Sequence, residues 1–146
     1  MRNHFGFMIR KCKMSDYNFC YALVEKTLSS YFKEYGFWDK DKFKNNFCDN
    51  YLRIKIMKKG KRRIGFYEIS KDEKCKNCLY IHKVFISPFY QKKGIGTFLM
   101  NYFETLNYKK IRLTVLKNNP VKKFYRKLGY KVISKKNHRL LMEKNI

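Results

Sequence analysis

A strand-like run ending Val84-Phe85-Ile86 is joined to a helical-period run by Ser87-Pro88-Phe89-Tyr90-Gln91-Lys92-Lys93-Gly94-Ile95-Gly96-Thr97. Proline cannot donate to a sheet ladder, so Pro88 ends the strand. Gly94 and Gly96 fall at the opening turn of the helix, with Lys92 and Lys93 beside them. Glycine lets backbone approach a ligand closely, and the unpartnered amides and dipole of a helix start favour negative charge. The segment reads as a pyrophosphate clamp, although an ordinary tight strand–helix turn uses glycine in the same way. A P-loop is excluded because no GxxxxGK[ST] occurs. A dinucleotide fingerprint is excluded because Leu99 stands where its third glycine belongs.

The pattern around this segment alternates between two periods. Met8 to Arg10 reads as a short strand. Ser15 offers an N-cap to a helix carrying Tyr17, Cys20, Tyr21, Val24, Leu28 and Tyr31 and stopped by Gly36, and Asp39 to Asp49 forms a second helix. Leu52, Ile54 and Ile56 then alternate with basic residues, Lys59-Gly60 turns, Ile64 to Ile69 resumes the strand, and Leu79 to Ile86 follows. Helical spacing returns at Phe98, Leu99, Tyr102, Phe103 and Leu106. A strand at Ile111 to Leu116, a helix capped by Asn119 with Pro120 at its start and Gly129 at its end, and strands at Tyr130 to Ser134 and Arg139 to Glu143 complete the order. The result, β-α-α-β-β-β-α-β-α-β-β, is an α+β or mixed α/β sheet with helices packed on it.

Composition limits what such a chain is for. The 146 residues hold one domain, with no linker or repeat to divide it. With 45% hydrophobic and 18% aromatic residues, a packed core is available and a disordered basic tail is excluded. No apolar run approaches the ~18 residues of a membrane span, and the opening MRNHFGFMIRKC lacks a secretory core. The net charge of +24 comes from 27 Lys and 8 Arg. Alongside 12 Asn, 12 Tyr and 13 Phe, it matches what AT-rich codons alone produce. Its functional alternative is attraction to a polyanion or a phosphorylated ligand. Five cysteines without an export signal point to free thiols in a reducing cytoplasm. Cys75-Lys76-Asn77-Cys78 has no second ligand pair, so no metal site is expected.

Gln91-x-x-Gly94-x-Gly96 after Val84-Phe85-Ile86, followed by Asn118 and then Phe124-Tyr125-Arg126-Lys127-Leu128-Gly129-Tyr130, resembles the GNAT superfamily of N-acetyltransferases. The likeness spans roughly residues 8–144, in element order as well as motif. It implies a small bacterial-type member with a single domain over residues 1–146. The fold implied is a mixed, mostly antiparallel sheet of about seven strands flanked by four helices. The function implied is transfer of an acetyl group from acetyl-CoA to a primary amine by direct attack in a ternary complex.

The resemblance also implies roles. Backbone groups of Val84, Phe85 and Ile86 would pair with the pantetheine arm, and Gln91, Lys92, Lys93, Gly94, Ile95, Gly96 and Thr97 would hold the pyrophosphate. Asn118, Lys123 and Phe124 would complete the cofactor site, and Tyr125 would be the general acid, or else a packing residue on the helix's apolar stripe with Val121 and Leu128. A phenol with an ordinary pKa of about 10 is matched to a leaving thiolate of about 8.5. The sequence departs from the family's commonest pattern at the base. His82 and Thr114 stand where relatives carry glutamates, so His82 is one candidate, Glu68 on the neighbouring strand the alternative, and a third reading has no dedicated base, with bulk water taking the proton. Tyr35 and Trp38, in the aromatic stretch between the first two helices, are candidates to meet the acceptor, or else lock those helices together.

Two other readings stay open at this point. One is a basic nucleic-acid-binding module, for which Arg62-Arg63-Ile64-Gly65-Phe66-Tyr67 faintly echoes an RNA-recognition strand. The other is a non-catalytic acyl-CoA-binding protein of the same fold. The resemblance carries no membrane partner, no specific nucleic acid and no metal, and a homodimer through the last strands is frequent in the family. The surplus positive charge disfavours polycationic acceptors and leaves small or acidic amines more open.

Overall fold

A computed structural model describes residues 5–146, so the first four positions of the expected domain, Met1 to His4, lie outside the described residues. The strands are β1 (Met8–Lys11), β2 (Ile54–Lys59), β3 (Arg62–Lys71), β4 (Cys78–Ile86), β5 (Lys110–Leu116), β6 (Lys131–Lys136) and β7 (Arg139–Asn145). The helices are α1 (Tyr17–Glu34), α2 (Lys40–Asn50), α3 (Ile95–Glu104) and α4 (Lys122–Lys127). The strands follow the order β1-β2-β3-β4-β5-β7-β6, a mostly antiparallel α+β arrangement with four helices. Two compact units divide the chain, residues 5–68 with Lys83–Gly96 and Ile69–His82 with Thr97–Ile146.

In the first unit, β1 and β2 pair antiparallel, as do β2 and β3. Cys20, Leu23 and Val24 of α1 and Phe47 of α2 are buried with Ile54, Ile56 and Phe66 in one apolar cluster. Each such side chain contributes about 1.5–3 kcal/mol by leaving water, so this cluster is what fixes the helices on the strands. Asp39 caps α2 by accepting the Lys42 amide at 3.1 Å, as its position before the helix leads one to expect. Ser15, by contrast, does not cap α1. A 3-10 turn over Met14–Asp16 precedes the helix, and Asp16 reaches back to accept the Lys13 amide at 2.8 Å. Leu52 does not extend β2 either, because Tyr51–Arg53 forms another 3-10 turn that leaves Leu52 76% exposed.

Gly65 shows why a glycine interrupts an otherwise apolar strand. The β2–β3 register slips between Met57 and Lys58, leaving Ile64 as the extra residue of a bulge. Beside it, a Cβ on Gly65 would collide with the carbonyl oxygen of Phe85 and come within 2.7 Å of Met57 Cε. Strand backbone cannot yield as a flexible side chain can. The Gly65→Ala variant is therefore expected to lose about 1–3 kcal/mol in urea unfolding, and an unchanged midpoint would show that the Phe85 backbone moves freely.

In the second unit, Cys78–Ile81 of β4 pairs parallel with Lys110–Leu113 of β5, β5 pairs antiparallel with β7, and β7 with β6. Alternation along β5 buries Ile111, Leu113 and Val115 and turns Arg112 and Thr114 to the other face. The β6–β7 hairpin closes through Asn137 and His138, both at positive φ (49° and 66°), as a two-residue turn of the primed type demands. The expected last helix is shorter than its signals suggest. Asn119 accepts the Val121 amide at 3.0 Å, but regular helix begins only at Lys122. Cys75 and Cys78 are joined as a disulfide, which corrects the expectation of five free thiols; Cys12, Cys20 and Cys48 remain free.

Candidate active site

The first unit carries the end of β4, the loop and the first two residues of α3. The parallel pairing of β4 with β5 runs from Cys78 opposite Lys110 to Ile81 opposite Leu113. Val84, Phe85 and Ile86 continue β4 past that paired stretch, half-buried. A strand edge can accept an extended amide-bearing chain as a further strand. Gln91 donates through Nε2 to the Ile86 carbonyl at 2.8 Å, tying the loop to the strand end. Gly94 sits at φ +88° and Lys92 at φ +60°, so the loop turns through two left-handed residues before α3 starts at Ile95. The first four amides of a helix have no acceptor within it, which leaves those from Ile95 onward, Gly96 and Thr97 included, for a ligand. Lys92 is exposed, while Lys93 Nζ lies 4.3 Å from the centre of the Phe89 ring. This donor set fits the pyrophosphate and amide-rich arm of acetyl-CoA.

Glu68 also lies in the first unit, 1% exposed and held on both oxygens. Lys83 donates to Oε1 at 2.9 Å, and Arg53 donates to Oε2 through Nε at 3.1 Å. The Trp38 ring lies tilted beside those of Tyr21 and Phe32, with centres 6.1 and 6.2 Å away, and Tyr35 lies tilted beside Phe37 at 6.0 Å. Arg63, half of the RNA-like echo, is committed to Asp16 at 3.1 Å and lies 5.0 Å from the Phe19 ring.

The second unit carries the remaining candidates. Tyr125, on α4, is 7% exposed and lies edge-on to Phe124 and Tyr130, with ring centres 5.2 and 5.8 Å away. Burial alone pushes its phenol up to about 12, since the charged form would be stranded in an apolar setting. Asn118 is half-buried in the turn after β5, Lys123 is exposed and Phe124 half-buried. His82 is exposed and its Nε2 lies 2.7 Å from Ser70 Oγ. Its ring packs edge-on to Tyr80 at 4.8 Å, and the Tyr80 hydroxyl is 2.7 Å from Thr114 Oγ1. His82, Tyr80 and Thr114 stand out in the sequence as strand residues, whereas nothing local singles out Ser70. Alternation places Tyr80 and His82 on one face, yet the cross-strand register that brings up Ser70 and Thr114 is not written in either strand alone.

Among the described residues, no group of three metal-ligating side chains occurs, and no helix is long and apolar enough to cross a membrane. No curated protein matches the chain in sequence. Its fold is similar to that of the PaiA N-acetyltransferase of Thermoplasma acidophilum in complex with coenzyme A. That match has 21% identity and a TM-score of 0.71, over 96% of this chain and 99% of that one. It is similar also to N-acetylglutamate synthase of Neisseria gonorrhoeae complexed with coenzyme A and N-acetyl-glutamate, at 12% identity and a TM-score of 0.69, over 95% of this chain and 35% of that one. The Naa50 protein of Arabidopsis thaliana, bound to a bisubstrate analogue, shares 15% identity and a TM-score of 0.65, over 97% and 99%. The model of the acetyltransferase (GNAT) family matches residues 17–130, which takes in both the glycine loop and Tyr125, and the chain belongs to that family.

Proposed function

We propose that the whole chain is one acetyl-CoA-dependent N-acetyltransferase domain acting on a primary amine. The observation that carries this is the loop bearing Gly94 at φ +88°, pinned by Gln91 to the end of β4 and running directly into the start of α3. Acetyl-CoA, as substrate, supplies an acyl group already activated as a thioester. The amides of Gly94, Ile95, Gly96 and Thr97 bind its pyrophosphate with Lys92, and the backbone of Val84, Phe85 and Ile86 orients its arm. Asn118, Lys123 and Phe124 supply the remaining contacts.

His82 takes the proton that the acceptor amine must lose as its nitrogen bonds to the acyl carbon, with Ser70 fixing the imidazole. Glu68 is the poorer base, because Arg53 and Lys83 already occupy its oxygens. A backbone N–H of Phe85 or Ile86 meets the negative charge growing on the acyl oxygen. Tyr125 gives its proton to the sulfur as the carbon–sulfur bond breaks, and recovers one from solvent.

Isothermal titration calorimetry with acetyl-CoA tests the reading directly. Saturable binding is expected at low and high salt, weakened at least about tenfold in Gly94→Val, where an L side chain is strained at that φ. Release of coenzyme A thiol, followed with a thiol-reactive dye across a panel of amines, tests turnover. No binding heat in either salt condition would sink the proposal.

A further inference from the structure

A cleft of about 430 Å³ opens within the second unit. Tyr80, Arg112, Thr114 and Leu141 line it from β4, β5 and β7, and Lys74, Lys136 and Arg139 from the adjoining hairpin turns and strand ends. Its one acidic lining residue, Asp72, accepts the Lys74 amide at 2.9 Å and so is engaged in holding its own turn. Glu143 holds Arg112 through Nε at 2.6 Å, which fixes that guanidinium in place. Four cationic side chains thus line the concavity, one of them, Arg112, already paired with Glu143, against a single lining carboxylate, whereas the basic run Lys58 to Arg63 is spread over the β2–β3 turn. A concave wall focuses the field of its charges, and the volume suits a small molecule.

The cleft also adjoins the proposed chemistry. Tyr80, on its wall, is bonded to Thr114 at 2.7 Å and packs against His82 at 4.8 Å, so an amine beside His82 would have the rest of its molecule within reach of these cations. We propose that the cleft binds the anionic group of the acyl acceptor, which is therefore a small amine that also carries a carboxylate or a phosphate. The proposal deepens the N-acetyltransferase reading and rests on it for the amine, but the anion site stands on its own geometry. The β6–β7 turn, closed through Asn137 and His138 at positive φ, places Lys136 and Arg139 side by side on the cleft wall.

The test is an NMR titration of the full chain without acetyl-CoA, using matched probes: β-alanine against β-alaninamide, and O-phosphoethanolamine against ethanolamine. Saturable shifts of the Tyr80, Arg112, Thr114 and Leu141 amides are expected with an acidic probe and not with its non-acidic partner. The arm that binds tells carboxylate from phosphate. The exposed-site double variant Lys74→Glu with Lys136→Glu is expected to raise the acidic probe's Kd at least about tenfold, and added salt to weaken binding in the parent chain. Equal shifts from acidic and non-acidic partners, or no cleft shifts from either acid, would overturn the proposal. So would the same shifts produced by coenzyme A alone and lost in the double variant, since the cations would then belong to the nucleotide. Because binding is read without turnover, a chain that transfers no acetyl group can still bind the probes, and the two failures stay distinguishable.

Discussion

Replacing Asp16 with Asn is expected to cost about 2–4 kcal/mol of stability and to lower the thermal midpoint by roughly 5–15 °C. The Asp16 carboxylate is 1% exposed and accepts two hydrogen bonds from Arg10, at 2.8 and 2.9 Å, one from Arg63 at 3.1 Å, and the Lys13 amide at 2.8 Å. It ties β1, β3 and the turn entering α1 together. Asparagine keeps the shape but loses the charge and turns an amide toward two guanidiniums. Those guanidiniums are each about one-third exposed, at 32% and 38%, so water relieves part of the loss and the figure sits below that of a fully buried pair. The hydrogen bonds from Arg10 above all hold the carboxyl well below the usual carboxylate range. A carboxyl depressed in the native state stabilises it above the unfolded value of about 4 and ceases to do so as pH falls below that value. Urea midpoints measured from pH 7 down to 2 should fall more steeply for the parent chain than for Asp16→Asn. Parallel curves would show that the cluster contributes nothing to acid stability.

Asp16 illustrates what the sequence could and could not disclose. The hydrophobic periods place most strands and helices, because one face of β2, β5 and α1 is buried and the 2 and 3.6 spacings record it, whereas β1 and β6 bury no residue. The glycine loop was legible for the same local reason: its positive φ, its helix start and its cations lie within a few residues of each other. Asp16 looked like any polar residue near a helix start, since its partner Arg63 is distant in sequence and the pairing depends on sheet register. Glu68 and His82 were visible as residue types at strand positions, but their partners were not. Arg53 and Lys83 close around Glu68, and Ser70 meets His82, only once β2, β3 and β4 are aligned. The cationic cleft is the extreme case. Its lining is drawn from separate strands and turns, so +24 read along the chain is diffuse background while the folded second unit gathers part of it in one place.

For catalysis the largest single effect is expected from Tyr125→Phe, with kcat falling by roughly 10²-fold or more while the acetyl-CoA affinity stays within about twofold. The phenol is the only polar part removed, and the ring that packs against Phe124 and Tyr130 is kept, so the thermal midpoint should move by no more than about 2 °C. Burial raises the phenol to about 12, which keeps it protonated and able to donate across the neutral range. The sign matters for the pH profile. A phenol at its ordinary value of about 10 would begin to lose its proton near pH 9 and drag kcat down from there. Raised to about 12, Tyr125 should add no alkaline limb until roughly pH 11, so a fall in kcat at lower alkaline pH must come from another group. Single-turnover rates between pH 7 and 10.5 would separate the two cases. A variant with unchanged kcat would leave Tyr125 as a core residue of α4 and move the proton donor to water or to a neighbour. A variant that lost acetyl-CoA affinity and kcat together would make the hydroxyl a binding group rather than an acid.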